Sequence, residues 1–153
     1  MSPACSPVCP GISRATFCIF LLSGLCLCLQ QYYFIDEPKT WQEAVSYCRE
    51  KYGDLASINN QADVARLIEA VGSGYEGEVW IGLYDIPSSW GWVLSDPDMY
   101  EEGEWNFRKW NKGEPNDVRR RGILCVVTRG YWFDTSCSTP YAFVCYNNTL
   151  NSE

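Results

Sequence analysis

The chain contains no histidine. That absence removes the commonest general base near neutral pH and the usual imidazole ligands of zinc and copper, so Ser-His-Asp and Cys-His mechanisms are excluded. Cations are also scarce: 12 Lys and Arg stand against 19 Asp and Glu, for a net charge of −7. Nucleic-acid binders neutralise phosphates with clustered Lys and Arg, and an acidic chain is poorly made for that task. No internal repeat and no low-complexity tract is found. The carboxylates leave glycosidase-like pair chemistry formally open, but on an acidic domain they read as solvated surface, and the chain reads as a non-enzyme.

Apolar and aromatic residues are plentiful. They make up 46% of 153 residues, with seven Trp, ten Tyr and six Phe, enough for one compact core and too short a chain for two. Residues 1–14 carry one charged side chain, Arg14, and an apolar run follows over residues 15–29 (Phe17, Ile19, Phe20, Leu21, Leu22, Leu25, Leu27). At about 15 residues it falls short of the roughly 20 that cross a bilayer. Small side chains at Cys26 and Cys28 suit a cleavage site, so residues 1–28 read as a signal peptide, 29–147 as the domain and 148–153 as a short polar tail. A signal anchor of a type II membrane protein and a leading segment foreign to the domain are the alternatives.

Cleavage near Cys28 would remove Cys5, Cys9, Cys18, Cys26 and Cys28 and leave an even four: Cys48, Cys125, Cys137 and Cys145. In an oxidising compartment an even count means disulfides. Four cysteines permit three pairings, and spacing does not choose among them.

Local patterns give an α+β order. Gln31 to Ile35 reads as an opening strand. Thr40 with Glu43 forms a capping box for a helix whose apolar face is Trp41, Ala44, Val45 and Cys48, closed by Gly53. A second helix starts with Asn59 or Asn60 as its N-cap and repeats the spacing at Val64, Leu67, Ile68 and Val71 until the glycines of residues 72–77. Short strands follow at residues 79–84, 90–94, 123–128, 131–133 and 141–146. Between them, residues 85–121 form a stretch too long for an ordinary connector, and such loops usually carry function.

Several motifs in order carry a family resemblance over residues 31–146. Trp80-Ile81-Gly82-Leu83, Trp90-Gly91-Trp92, Trp110-Asn111-Lys112-Gly113-Glu114-Pro115-Asn116 and Phe143-Val144-Cys145, set among four cysteines, resemble the C-type lectin-like domain family. The resemblance implies an α+β fold in which two helices pack on antiparallel sheets beside a long irregular loop region. It also implies two disulfides, Cys48 to Cys145 and Cys125 to Cys137. Trp41, Trp80, Trp90 and Trp92 are then core residues.

In calcium-dependent members of that family the Glu and Asn flanking the Pro hold Ca²⁺ and bond to sugar hydroxyls, and Glu-Pro-Asn goes with mannose-type sugars. The implied metal and sugar residues here are Glu114, Asn116 and Asp134, with Trp132 supporting the wall of the carbohydrate site. Two further family ligands are replaced, by Ile123 and by Phe133. Ca²⁺ takes about six to eight oxygens, so losing two ligands implies weak or lost calcium dependence. Arg119, Arg120 and Arg121 lie beside the site, and like charge within a Debye length of about 8 Å opposes a divalent cation further. The same arginines suit an anion subsite, because guanidinium forks match sulfate and carboxylate oxygens.

The expected function is therefore a secreted, calcium-weak or calcium-independent carbohydrate-recognition module with a glycan or glycoprotein partner. The alternative is a calcium-independent module on the same fold that binds a protein or an acidic ligand. Asn147-Asn148-Thr149 is an N-glycosylation sequon, and a mass decrease on glycosidase treatment is its check.

Overall fold

The computed structural model describes residues 17–20, 26–29, 31–87, 89–93, 103–116 and 123–147. Two short strands, β1 (Phe17–Phe20) and β2 (Cys26–Leu29), pair antiparallel in a sheet of their own. The domain proper follows as β3 (Gln31–Lys39), α1 (Trp41–Lys51), β4 (Asp54–Leu55), α2 (Gln61–Val71), β5 (Val79–Ile86), β6 (Ser89–Trp92), a 3₁₀ turn (Glu104–Asn106), β7 (Leu124–Thr128), β8 (Trp132–Ser136) and β9 (Tyr141–Asn147). Among the described residues no helix is long and apolar enough to cross a membrane.

β3 to β9 form one seven-stranded sheet whose main path runs β3-β9-β5-β7-β8, with β4 paired to β9 and β6 to β5. It is mixed rather than purely antiparallel: β5 and β9 run parallel, with Val79 opposite Ala142 and Trp80 opposite Phe143. The parallel pair is possible because β5 and β9 are far apart in sequence, which leaves ample chain for the crossover that parallel strands need.

Side chains alternate across the three central strands, and each helix covers one face. Val79, Ile81 and Leu83 of β5, Val126 of β7 and Ala142, Val144 and Tyr146 of β9 share a core with Val64 and Leu67 of α2. Trp80, Cys125, Val127, Phe143 and Cys145 share the other core with Trp41, Ala44, Val45 and Cys48 of α1. The two indoles at the α1 end are satisfied, since Trp41 Nε1 donates to the Ile81 carbonyl and Trp80 Nε1 to that of Lys39, both at 2.9 Å. Gly82 is required for close approach: a Cβ there would sit 3.0 Å from the Leu55 carbonyl oxygen, and its N–H donates to Ala56 O at 2.8 Å.

The helix signals work as the sequence predicts. Thr40 caps α1 in a capping box with Glu43, and the Asn60 side chain accepts from the Asp63 N–H at 2.9 Å to cap α2. Thr40→Ala should cost about 1 kcal/mol of stability, a typical value for losing an N-cap, read from the urea midpoint at constant slope. One expectation needs correction. Ile68 does not share the buried face of α2; it is 50% exposed, because the sheet covers only the Val64 and Leu67 side of the helix and leaves a groove beside it.

Both disulfides implied by the family resemblance are present: Cys48 joins Cys145 across 97 residues, and Cys125 joins Cys137 across 12. The long middle region is shorter than the sequence suggests, since Asp85 and Ile86 still belong to β5 and pair with β6.

Candidate functional site

The site forms where the long loop lies along β8, at the end of the sheet's main path. An edge strand presents unpaired backbone groups, and a covering loop is one way to satisfy them. Here the Trp132 N–H donates to Lys109 O at 2.9 Å and the Asn111 N–H donates to Trp132 O at 3.0 Å. Beyond this stitch, Gly113 takes a positive φ of 89° and the Glu114 N–H turns back to Asn111 O at 3.0 Å. The Glu114–Pro115 peptide bond is cis.

Three predicted residues come together at the end of that turn. The Asn116 N–H donates to Asp134 Oδ1 at 2.9 Å, and Asn116 Nδ2 donates to Glu114 Oε1 at 2.6 Å. Glu114 Oε2 is closed off from solvent beside the Asp134 carboxylate with no partner in good hydrogen-bond geometry, while the Asp134 and Asn116 backbone N–H groups near the carboxyl partly offset the cost. Burial first, and the neighbouring Asp134 second, push the Glu114 carboxyl above its ordinary range. Two carboxylates and one amide therefore converge, with the Asn116 backbone and side-chain N–H groups turned toward the carboxylates. Among the described residues no group of three or more His, Cys, Asp or Glu side chains is placed to hold a metal ion, and the two carboxylates are two side chains short of the set that the family resemblance implies.

The sign of the pH effect follows from the raised pKa. Protonated Glu114 favours the fold, so this contribution is present in full below the unfolded pKa and is lost as pH rises through the folded one. Glu114→Gln should then melt higher than the parent at neutral pH in chelator, with the advantage vanishing below about pH 4, near the unfolded Glu pKa. Equal melting temperatures across the pH range would show that the carboxylate pair carries no repulsion.

The remaining predicted residues are placed differently. Trp132 is 1% exposed and cannot touch a sugar; its ring braces the loop from beneath, against Trp92, Phe107 and Trp110 at centroid distances of 5.6, 5.8 and 6.0 Å. Alternation along β8 explains this, since Trp132 and Asp134 share one face while Phe133 turns to the α1 core and packs there half-buried. Phe133 is thus neither a metal ligand nor a well-presented contact. Ile123 is 66% exposed. Asn147 ends β9 opposite Gln31, whereas Asn148 and Thr149 of the sequon lie outside the described residues, as do Arg119, Arg120 and Arg121.

Sequence reasoning missed the bracing cations. Arg108 donates to the carbonyls of Phe107 and Trp90 at 2.8 and 2.9 Å and lies over the Trp92 ring, which ties the loop to β6. Lys109 reaches Gln61 Oε1 at 2.8 Å and sits over the Tyr131 ring. Their interleaving with Phe107 and Trp110 was the signal available.

A disulfide-stapled α+β domain with a long loop braced along its edge strand is the arrangement of the C-type lectin-like fold. A family model described as the lectin C-type domain matches residues 37–147, and the chain belongs to that family. It is 39% identical over 133 residues to a C-type lectin of Bungarus fasciatus named BfL-2, covering 80% of this chain and 77% of the relative. It is 40% identical over 124 residues to a protein of Oxyuranus scutellatus described as a C-type lectin mannose-binding isoform, covering 74% of each. Among solved structures, human lithostathine superposes with a TM-score of 0.65 at 28% identity, covering 78% of this chain and 92% of that one.

Proposed function

We propose that this chain is a secreted carbohydrate-recognition module of mannose type, with its leader cleaved near Cys28 and no catalytic activity. The reading is carried by the convergence of Glu114, Asn116 and Asp134 at one turn, with Glu114 Oε2 closed off from solvent beside Asp134. A weakly held Ca²⁺ fits this set: Glu114, Asn116 and Asp134 would hold it. When bound, the ion would supply open coordination positions for a pair of vicinal sugar hydroxyls. Glu114 would accept a hydrogen bond from one hydroxyl and the Asn116 amide would donate to its neighbour. Asp134 holds Asn116 in place through the backbone N–H, and the aromatic layer under the loop keeps the turn rigid. The mannose-binding description of the Oxyuranus scutellatus relative supports the sugar class.

One observation favours a second reading, a calcium-independent module for a protein or acidic ligand. Ile123, where the family places a ligand carboxylate, is two-thirds exposed and apolar, and three arginines precede it in sequence. A broad glycan array, probed in millimolar Ca²⁺ and again with chelator, separates the readings. Mannose-type binding lost with chelator supports the first. Binding to sulfated glycans that ignores chelator, or no glycan binding in either buffer, overturns it in favour of the second.

A further inference from the structure

A groove lies beside α2, built from residues that the sugar site does not use. It measures about 210 Å³ and is lined by Leu67, Ile68, Val71, Tyr75 and Val79, with Thr128, Arg129 and three glycines completing it. Two of its glycines take positive φ. Gly72, at φ 75°, has nothing within 4 Å of where a Cβ would stand, and Gly130, at φ 109°, would place one 3.7 Å from Ile68 Cδ1. An apolar cavity of about 150 Å³ accepts a benzene ring, so this groove accommodates one ring with a short chain, or a bent medium-length alkyl chain.

The polar groups of the groove are unevenly available. The Thr128 hydroxyl is already used, accepting from the Gly130 N–H at 2.9 Å and donating to Tyr131 O at 3.2 Å. The Tyr75 hydroxyl donates to Glu78 O at 3.2 Å. Arg129 belongs to the lining and is exposed, and among the described residues no carboxylate pairs with it, while Asp36 and Glu78 lie near Tyr75. A largely apolar trough with committed hydroxyls and one exposed, unpaired arginine in its lining is complementary to an amphiphile with a single anionic head, because the fork of Arg binds a carboxylate with two parallel hydrogen bonds. Ile68 at 50% exposure is then the wall such a tail would cover.

We infer that this groove is a second ligand site, separate from the sugar-binding turn, for a small apolar carboxylate such as a medium-chain fatty acid or an arylalkanoate. The probe is decanoate below its micelle concentration, titrated into the purified full-length chain and followed by amide NMR shifts, with decyltrimethylammonium as the oppositely charged control. Saturable shifts at Leu67, Ile68, Thr128 and Gly130 are expected with decanoate. Ile68→Trp, a change at a half-exposed position that fills the groove, should abolish them. Arg129→Glu should weaken affinity about tenfold or more, in line with losing a charged hydrogen-bonding partner. The absence of saturable shifts, equal affinity for the two head groups, or unchanged binding by folded Ile68→Trp would each overturn the assignment.

Discussion

Replacing Cys48 and Cys145 together with alanine should cost about 4 to 5 kcal/mol, because their bridge closes a loop of 97 residues and chain-entropy loss grows with loop length. The inner bridge, Cys125 to Cys137, closes only 12 residues, and the same relation gives about 3 kcal/mol for its removal. Location widens the difference. Cys48 and Cys145 are both fully buried in the core between α1 and the sheet, whereas Cys137 is half-exposed at the end of a hairpin. Cys145 also sits in the middle of the sheet, opposite Tyr33 on one side and Leu55 on the other, so the outer bridge ties α1 to the strand that organises β3, β4 and β5. Domains of this size hold only about 5 to 15 kcal/mol in total, so the outer double variant should be largely unfolded near 37 °C while the inner one still folds. Urea unfolding of both double variants decides the matter. An outer variant as stable as the inner one would show that the long-loop entropy argument fails for this chain.

Regular periodicities made most of the scaffold legible. The 3.6-residue spacing of Trp41, Ala44, Val45 and Cys48 placed the cysteine on the buried face, and all four residues are buried. The capping signals at Thr40 and at Asn59 or Asn60 marked the helix starts to within one residue, Asn60 being the second cap, because they depend on chemistry within three residues. Ile68 broke the pattern for a tertiary reason: helical spacing says which side chains share a face, and the position of the sheet decides how much of that face is covered. The parallel pairing of β5 with β9 was invisible for the same reason, being a fact about the crossover rather than about either strand.

At the site, the three residues implied by the family resemblance are brought together, since Glu114 and Asn116 belong to one turn and Asp134 meets them from β8. What the sequence did not disclose was the inward orientation of Trp132. The alternation that aims Asp134 at the loop also aims Trp132 beneath it, and the register between β7 and β8, with Val126 opposite Asp134 and Thr128 opposite Trp132, fixes both. Arg108 and Lys109 escaped notice because their role is to hold a loop in shape, and a basic pair on a loop is otherwise read as solvated.

The coupling between core and site is what makes Trp132→Ala the most informative single substitution. Truncating a fully buried Trp typically costs about 3 to 5 kcal/mol through lost burial and the cavity left behind, and Trp132 is 1% exposed. Three aromatic rings rest on it, and two of them, Phe107 and Trp110, belong to the loop itself. Its backbone makes the two hydrogen bonds that stitch Lys109 and Asn111 to β8, and these survive the substitution only if the loop stays seated. Loss of the ring should therefore release the loop before it unfolds the sheet, because α1 and its core lie on the opposite face. Limited proteolysis at low temperature should cut within residues 103–116 in Trp132→Ala while the parent resists, and the sugar binding proposed above should be lost with it even where circular dichroism still reports folded sheet. Trp132→Phe keeps a ring against the same neighbours and should retain both the loop and part of the stability. A Trp132→Ala protein that unfolds at the parental urea midpoint and resists cleavage would mean that the backbone stitch alone seats the loop, and that the aromatic layer is packing without consequence for the site.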